Sequence, residues 1–231
     1  ADLVFDGPGM RALARRGLLA GVAITQAEAS SADMRDAILA VRASLRGDAG
    51  GAIRLLQASP LAPSLGSAFG ELTGSGPFAS EVAMFLPIKD FDRRVVTVMS
   101  TLDGVTLRHG QQGVEATELR GGLWVRNREI EAPALTGRLL GGPAKVSIST
   151  TKEKNGDLST QLNAQGTVAA EPLRPVARLP VNGGISGTAD WRGFLTLGRS
   201  ADPQLPMRGS LRISSDLRGL GSGMPEPLEI G

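Results

Sequence analysis

A chain of 231 residues with 41% hydrophobic residues can bury a substantial core, but aromatics make up only 3% and Tyr is absent, so any core is aliphatic and thin. A formal charge of +2, with no Lys/Arg stripe interleaved with aromatics, argues against nucleic acid as a partner, and the absence of Cys excludes disulfides and thiolate metal sites. No apolar run approaches the roughly 20 residues that span a bilayer.

Thirty-one glycines and 14 prolines interrupt the chain so often that short strands joined by turns are expected throughout. The opening Ala1-Asp2-Leu3-Val4-Phe5 reads as the middle of a strand, with no signal peptide, as in a piece of a longer protein. Residues 34–45 have helix-forming composition, yet the repeat described below makes them equivalent to strand, and strand is the assignment. The proline-bracketed residues 59–69 suit a short helix with Pro60 at its first position. Arg108-His109-Gly110-Gln111 reads as an exposed turn between strands. Leu123-Trp124-Val125, a turn at Asn127-Arg128 and an extended run from Ile130 to Leu140 form a hairpin. Gly141-Gly142-Pro143 breaks the chain before residues 145–150, whose alternation puts Val146 and Ile148 on one face. Asn155-Gly156 predicts a type I′ turn, followed by a strand over 158–168. Residues 171–178 suit a second short helix.

Two copies of one pattern organise the chain. Residues 3–21 match 123–141 without a gap, pairing Ala12 with Ala132, Gly17 with Gly137, Leu19 with Leu139 and Gly21 with Gly141. Further on, Pro60 and Pro63 correspond to Pro172 and Pro175, Gly70 and Gly74 to Gly183 and Gly187, and Ser100-Thr101-Leu102-Asp103-Gly104-Val105 to Ser215-Asp216-Leu217-Arg218-Gly219-Leu220. The reading is of two β modules, 1–115 and 116–231, in one continuous sheet.

The chemical inventory is poor. His109 is the lone histidine, and no Gly-x-Ser-x-Gly elbow supplies a nucleophile for it, so no catalytic residue is assigned and a hydrolase lacks its base. The stretch from Gly137 to Lys145 fails as a phosphate loop because Lys145 does not follow the second glycine and no Ser/Thr follows the lysine. The pairs Asp90/Asp92, Asp33/Asp36 and Glu226/Glu229 read as solvated charges, so no metal site and no cofactor are expected. Trp124 and Trp191 occupy strand positions suited to packing or an edge contact. On the residues alone, a closed sandwich core is favoured over an open aliphatic groove able to hold acyl chains.

Gly137-Arg138-Leu139-Leu140-Gly141-Gly142-Pro143-Ala144, Gly187 to Arg192, and the run from Ser214 to Pro227 with its Ser-Asp-Leu-Arg-Gly-Leu resemble YhdP-type proteins of the AsmA-like envelope family. The resemblance covers most of the chain and is strongest from about Ser100 onward, whereas Ala20-Gly21-Val22 departs from it. It implies a mainly β fold, an elongated, curled antiparallel sheet forming a hydrophobic groove from two tandem repeats, with one or two short helices. It also implies a periplasmic segment of a large inner-membrane-anchored protein that moves phospholipid toward the outer membrane, with acyl chains, the rest of the same protein and envelope proteins as partners. Such proteins carry no catalytic or binding signature to transfer. From alternation, the groove residues are Leu123, Val125, Leu139, Val146, Ile148, Leu195, Leu197, Leu211 and Ile213. The competing reading is a spacer or protein-binding β module with a closed core.

Overall fold

The computed structural model describes residues 2–58, 70–110, 114–169, 185–200, 208–216 and 218–222. Among these residues, alternating apolar and polar side chains punctuated by glycine turns yield fifteen strands. In chain order they are β1 (Asp2–Asp6), β2 (Gly9–Ala14), β3 (Gly17–Leu19), β4 (Val22–Ser31), β5 (Ile38–Asp48), β6 (Leu72–Ser75), β7 (Pro77–Pro87), β8 (Val95–His109), β9 (Val114–Arg126), β10 (Glu129–Leu139), β11 (Gly142–Lys152), β12 (Leu158–Ala169), β13 (Ile185–Arg199), β14 (Arg208–Ser215) and β15 (Leu220–Ser222). They join in one antiparallel meander, β1-β2-β4-β5-β7-β8-β9-β10-β11-β12-β13-β14, to which β3 adds beside β4, β6 beside β8 and β15 beside β13. The sheet is not closed: among the described residues β1 pairs only with β2, and β14 only with β13. It is curled, because Cα atoms of β10 and β12 come within 8 Å of one another across β11, nearer than the roughly 9.6 Å of two flat strand spacings.

Glycines and left-handed residues recur at matching places in the two halves of the chain. Gly7 and Asn127 lie in the first hairpin turns at φ +56° and +53°. Ala20-Gly21 and Leu140-Gly141 both have positive φ at two successive positions, the geometry of a type I′ turn. Gly104 and Gly219 (φ +81° and +90°) extend the correspondence, whereas the left-handed Gly187 (+98°) finds its like in Gly76 (+101°), two residues beyond the Gly74 with which the sequence pairs it.

Of residues 34–45, expected as strand, 38–45 lie in β5 while 34–37 form the turn before it, and the helix lies elsewhere: α1 spans Ala49–Gln57, a stretch with no helix assigned from sequence. Its signal is Asp48, whose Oδ1 accepts from the Gly50 amide at 2.9 Å as an N-cap while its Oδ2 accepts from the Gly76 amide at 2.7 Å. One carboxylate thus starts the helix and ties it to the β6–β7 junction. The expected helices at 59–69 and 171–178 lie outside the described residues. The type I′ expectation at Asn155-Gly156 is corrected. Only Gly156 has positive φ (+87°), and its amide donates to the Glu153 carbonyl at 3.0 Å while Glu153 N donates to Asp157 O at 2.8 Å. This is a wider turn closed by a left-handed glycine.

Ala20 is exposed and held at φ +50°, which disfavours an L-residue by about 1–2 kcal/mol. After the unfolded-state entropy of glycine is subtracted, Ala20→Gly raises stability by roughly 0.5–1 kcal/mol, visible as an upward shift of a few degrees in a thermal melt followed by circular dichroism. Gly21→Ala, at φ +84°, shifts it down.

Candidate apolar face

Directly opposed residues of neighbouring strands project to the same side of a sheet, so the pairing register sorts every side chain onto one of two faces. One unbroken row runs Ala14, Ala27, Ala43, Val82, Val98, Val125, Ile130 across β2, β4, β5, β7, β8, β9 and β10. It continues one step along β10 as Ala132, Ile148, Leu162, Leu195, Leu211 across β11 to β14. Every member is aliphatic. A neighbouring row is Ala29, Val41, Met84, Val96, and another is Val146, Ala164, Gly193, Ile213.

The opposite face is mostly polar, with Gln26, Ser44 and Glu81 in one row and Lys145, Gln165, Arg192 and Ser214 in another. It also carries the cross-strand ion pairs: Arg11 with Glu28 at 2.8 Å, Arg108 with Glu115 at 2.8 Å, and Arg120 with Asp103. These are solvent-exposed and contribute little to stability, but they fix which face meets water.

Among the described residues the aliphatic face is not packed against a second sheet. Apart from neighbours in the sheet, the described elements in most extensive contact are α1 with β5 and β6, β10 with β12, and the short 3₁₀ turn at Phe91–Arg93 with β7. Consequently Ala43, Val82, Val98, Val125, Ile130, Ile148, Leu162 and Leu195 are only half-buried, and Leu211 remains 65% exposed. Besides Val22, Ile53, Val96, Ala132, Leu135 and Leu158, which are buried individually, fully buried apolar side chains gather in two clusters. One lies near α1, where Ala49, Val105 and Leu119 cluster. The other gathers Ala144, Ala164, Val168, Ala189 and Trp191, with Leu139, Val146 and Leu162 against it. The hydroxyls on this face satisfy one another, Ser80 Oγ with Ser100 Oγ at 2.6 Å and Thr150 Oγ1 with Thr160 Oγ1 at 3.0 Å.

All nine residues singled out by alternation, namely Leu123, Val125, Leu139, Val146, Ile148, Leu195, Leu197, Leu211 and Ile213, fall on the aliphatic face. The three strands β4, β5 and β7, which extend the face through Ala27, Val41, Ala43, Val82 and Met84, were not singled out; the same alternation marks them, diluted by alanine. Trp191 is buried on the aliphatic face at 4% exposure, whereas Trp124 is 41% exposed on the opposite face beside Met99. His109 is not in an exposed turn: it ends β8, half-buried and opposite Leu72 and Val114, because β8 runs to residue 109 before turning.

The turns at 7–8, 32–37, 88–94, 127–128 and 153–157 line one rim of the sheet. Backbone bonds run from turn to turn along it, from Met34 N to Pro8 O at 2.9 Å and from Ile88 N to Ala37 O at 2.7 Å. At its far end Arg128 Nη2 donates to the Ser200 carbonyl at 3.1 Å, linking the β9–β10 turn to the end of β13. Arg199, opposite Leu158 at the rim of the aliphatic face, is lowered below the ordinary arginine value by burial and then by the charge of Arg128.

A family model described as YhdP protein matches residues 1–230. The chain belongs to the YhdP family. That membership places it among AsmA-like envelope proteins, and among its described residues no helix is long and apolar enough to cross a membrane. No curated protein and no solved structure matches the chain.

An open face and a packed core respond differently to charge. In this YhdP-family chain Val105→Asp buries a carboxylate at a site with 0% exposure and lowers stability by about 4 kcal/mol or more, whereas Leu195→Asp, on the open face, lowers it by only about 1 kcal/mol. Paired thermal melts of the two variants check this; equal losses contradict the open face.

Proposed function

We propose that this segment shields phospholipid acyl chains on its aliphatic face, as one section of a periplasmic, inner-membrane-anchored conduit toward the outer membrane, and performs no catalysis. The observation that carries the reading is the aliphatic row from Ala14 to Leu211, which crosses eleven strands and is left half-exposed along most of its length. Exposed apolar surface on this scale needs an apolar occupant. Burying a dozen methylenes there would contribute about 10 kcal/mol at ~0.8 kcal/mol per CH₂. A continuous stripe also offers no fixed pocket, so a chain can slide along it without losing contact. Family membership supports the same reading. The competing reading, a protein-binding module, draws on the exposed edge strands β1 and β14, whose residues are all solvent-accessible.

The test is native mass spectrometry with lipid extraction on the fragment purified from bacterial envelopes without strong detergent. Phospholipid is expected to co-purify and to be lost, with folding retained, on Ile148→Asp. A lipid-free monomer that also fails to take up added phospholipid would defeat the proposal in favour of the protein-binding module.

A further inference from the structure

The polar face of the sheet carries a trough of its own. Lys145, Gln165, Arg192 and Ser214 stand in one row across β11, β12, β13 and β14, and two residues along the strands Thr167, Asp190 and Asp216 stand on the same face. Between these rows lies a cleft of about 910 Å³, within the roughly 300–1,000 Å³ of clefts that hold ligands. Its floor is the backbone of the intervening row, Gly137, Ala144 and Gly166, and the Ala144 side chain points away from it into the packed cluster on the aliphatic face. The cleft crosses from β10 to β14, four strand spacings or roughly 19 Å, so it is long and suits a linear ligand. Phe194 lies beside it, two residues along β13 from Arg192 on the same face, opposite Asn163 and Arg212 and 49% exposed.

The walls select a ligand class by what they offer. Lys145 and Arg192 only donate hydrogen bonds, the carboxylates of Asp190 and Asp216 only accept them, and Gln165, Thr167 and Ser214 do both. An anion meets the two carboxylates, a cation meets the ammonium and the guanidinium, and an acyl chain finds no apolar wall. A ligand rich in hydroxyls satisfies every one of these groups, because each hydroxyl donates once and accepts twice. Asp216 is paired with the exposed Arg218 at 3.5 Å and keeps further acceptor sites, a carboxylate having about four. A sugar ring adds a flat C–H side, which suits the electron-rich face of Phe194. We infer that the trough binds a linear, uncharged oligosaccharide, with Lys145, Gln165, Asp190 and Arg192 bonding its hydroxyls and Phe194 stacking on one ring. The site lies on the face away from the proposed acyl-chain surface and does not depend on that reading.

The experiment titrates chitotetraose, a neutral tetrasaccharide, into the purified chain and follows saturation-transfer NMR. Binding is expected with a Kd of about 1 mM, the strength of a few net hydrogen bonds. Gln165→Ala weakens it about fivefold by removing one such bond, and Phe194→Ala weakens it by at least as much. Gln26→Ala, on the same face but on β4, leaves it unchanged. Circular dichroism confirms folding, and the exposed Gln165 carries the test if Phe194→Ala unfolds. A hyaluronan tetrasaccharide, which adds carboxylates to a similar backbone, is expected to bind more weakly. No binding of chitotetraose at about 10 mM, or binding that both variants leave intact, overturns the site. Tighter binding of the hyaluronan fragment overturns the uncharged class.

Discussion

The period of two along a β-strand is the constraint on which this molecule depends. A slip of one residue between any two strands would turn the aliphatic set of one of them toward water, so the row from Ala14 to Leu211 exists only because register is kept across ten successive pairings. Where the chain carries an extra residue, a bulge absorbs it. Thr25 lies between the paired Ile24 and Gln26, Gly104 between Asp103 and Val105, and Pro133 and Ala134 between Ala132 and Leu135. Each bulge restores the phase and bends its strand. Proline sits at one of them, where a missing amide is tolerated.

Register alone does not leave a face open; that follows from what the chain lacks. A sandwich needs a second apolar sheet, and in this meander all fifteen described strands belong to one sheet whose main path follows chain order, so among the described residues no second layer returns to cover the first. The single described helix, held by Asp48, covers only the region around Val105 and Leu119. Aliphatic side chains with almost no aromatics give the remaining face a smooth, chemically uniform surface, suited to contact that does not depend on position. Charge is kept to the opposite face and to the rim at Arg128, Lys152 and Arg199. Acyl-chain shielding is the use that such a distribution supports.

Much of this was legible in the residues. Alternation at 145–150 fixed the face of Val146 and Ile148, and the glycine and apolar matches between 3–21 and 123–141 anticipated the paired left-handed turns at Ala20-Gly21 and Leu140-Gly141. The α1 helix was not, because Gly50 and Gly51 depress helix propensity and the segment is held by packing and by the Asp48 cap. At Asn155-Gly156 the dipeptide marked a turn but not its type, which Glu153 and Asp157 decide through their backbone bonds. The choice between sandwich and groove was not written in the strands at all. Aliphatic alternation is the same in both, and only the absence of a covering layer separates them. The reach of Arg128 to Ser200, 72 residues on, likewise depends on curl.

The most direct test uses that alternation. A photo-crosslinking residue, p-benzoylphenylalanine, is placed in turn at Val98, Val125 and Leu195 on the aliphatic face and at their strand neighbours Thr97, Arg126 and Thr196 on the other, in the full protein in cells. The account predicts phospholipid adducts at the first three positions and none at the second three. Adducts of equal yield on both faces, or adducts to protein alone on the aliphatic face, would contradict it.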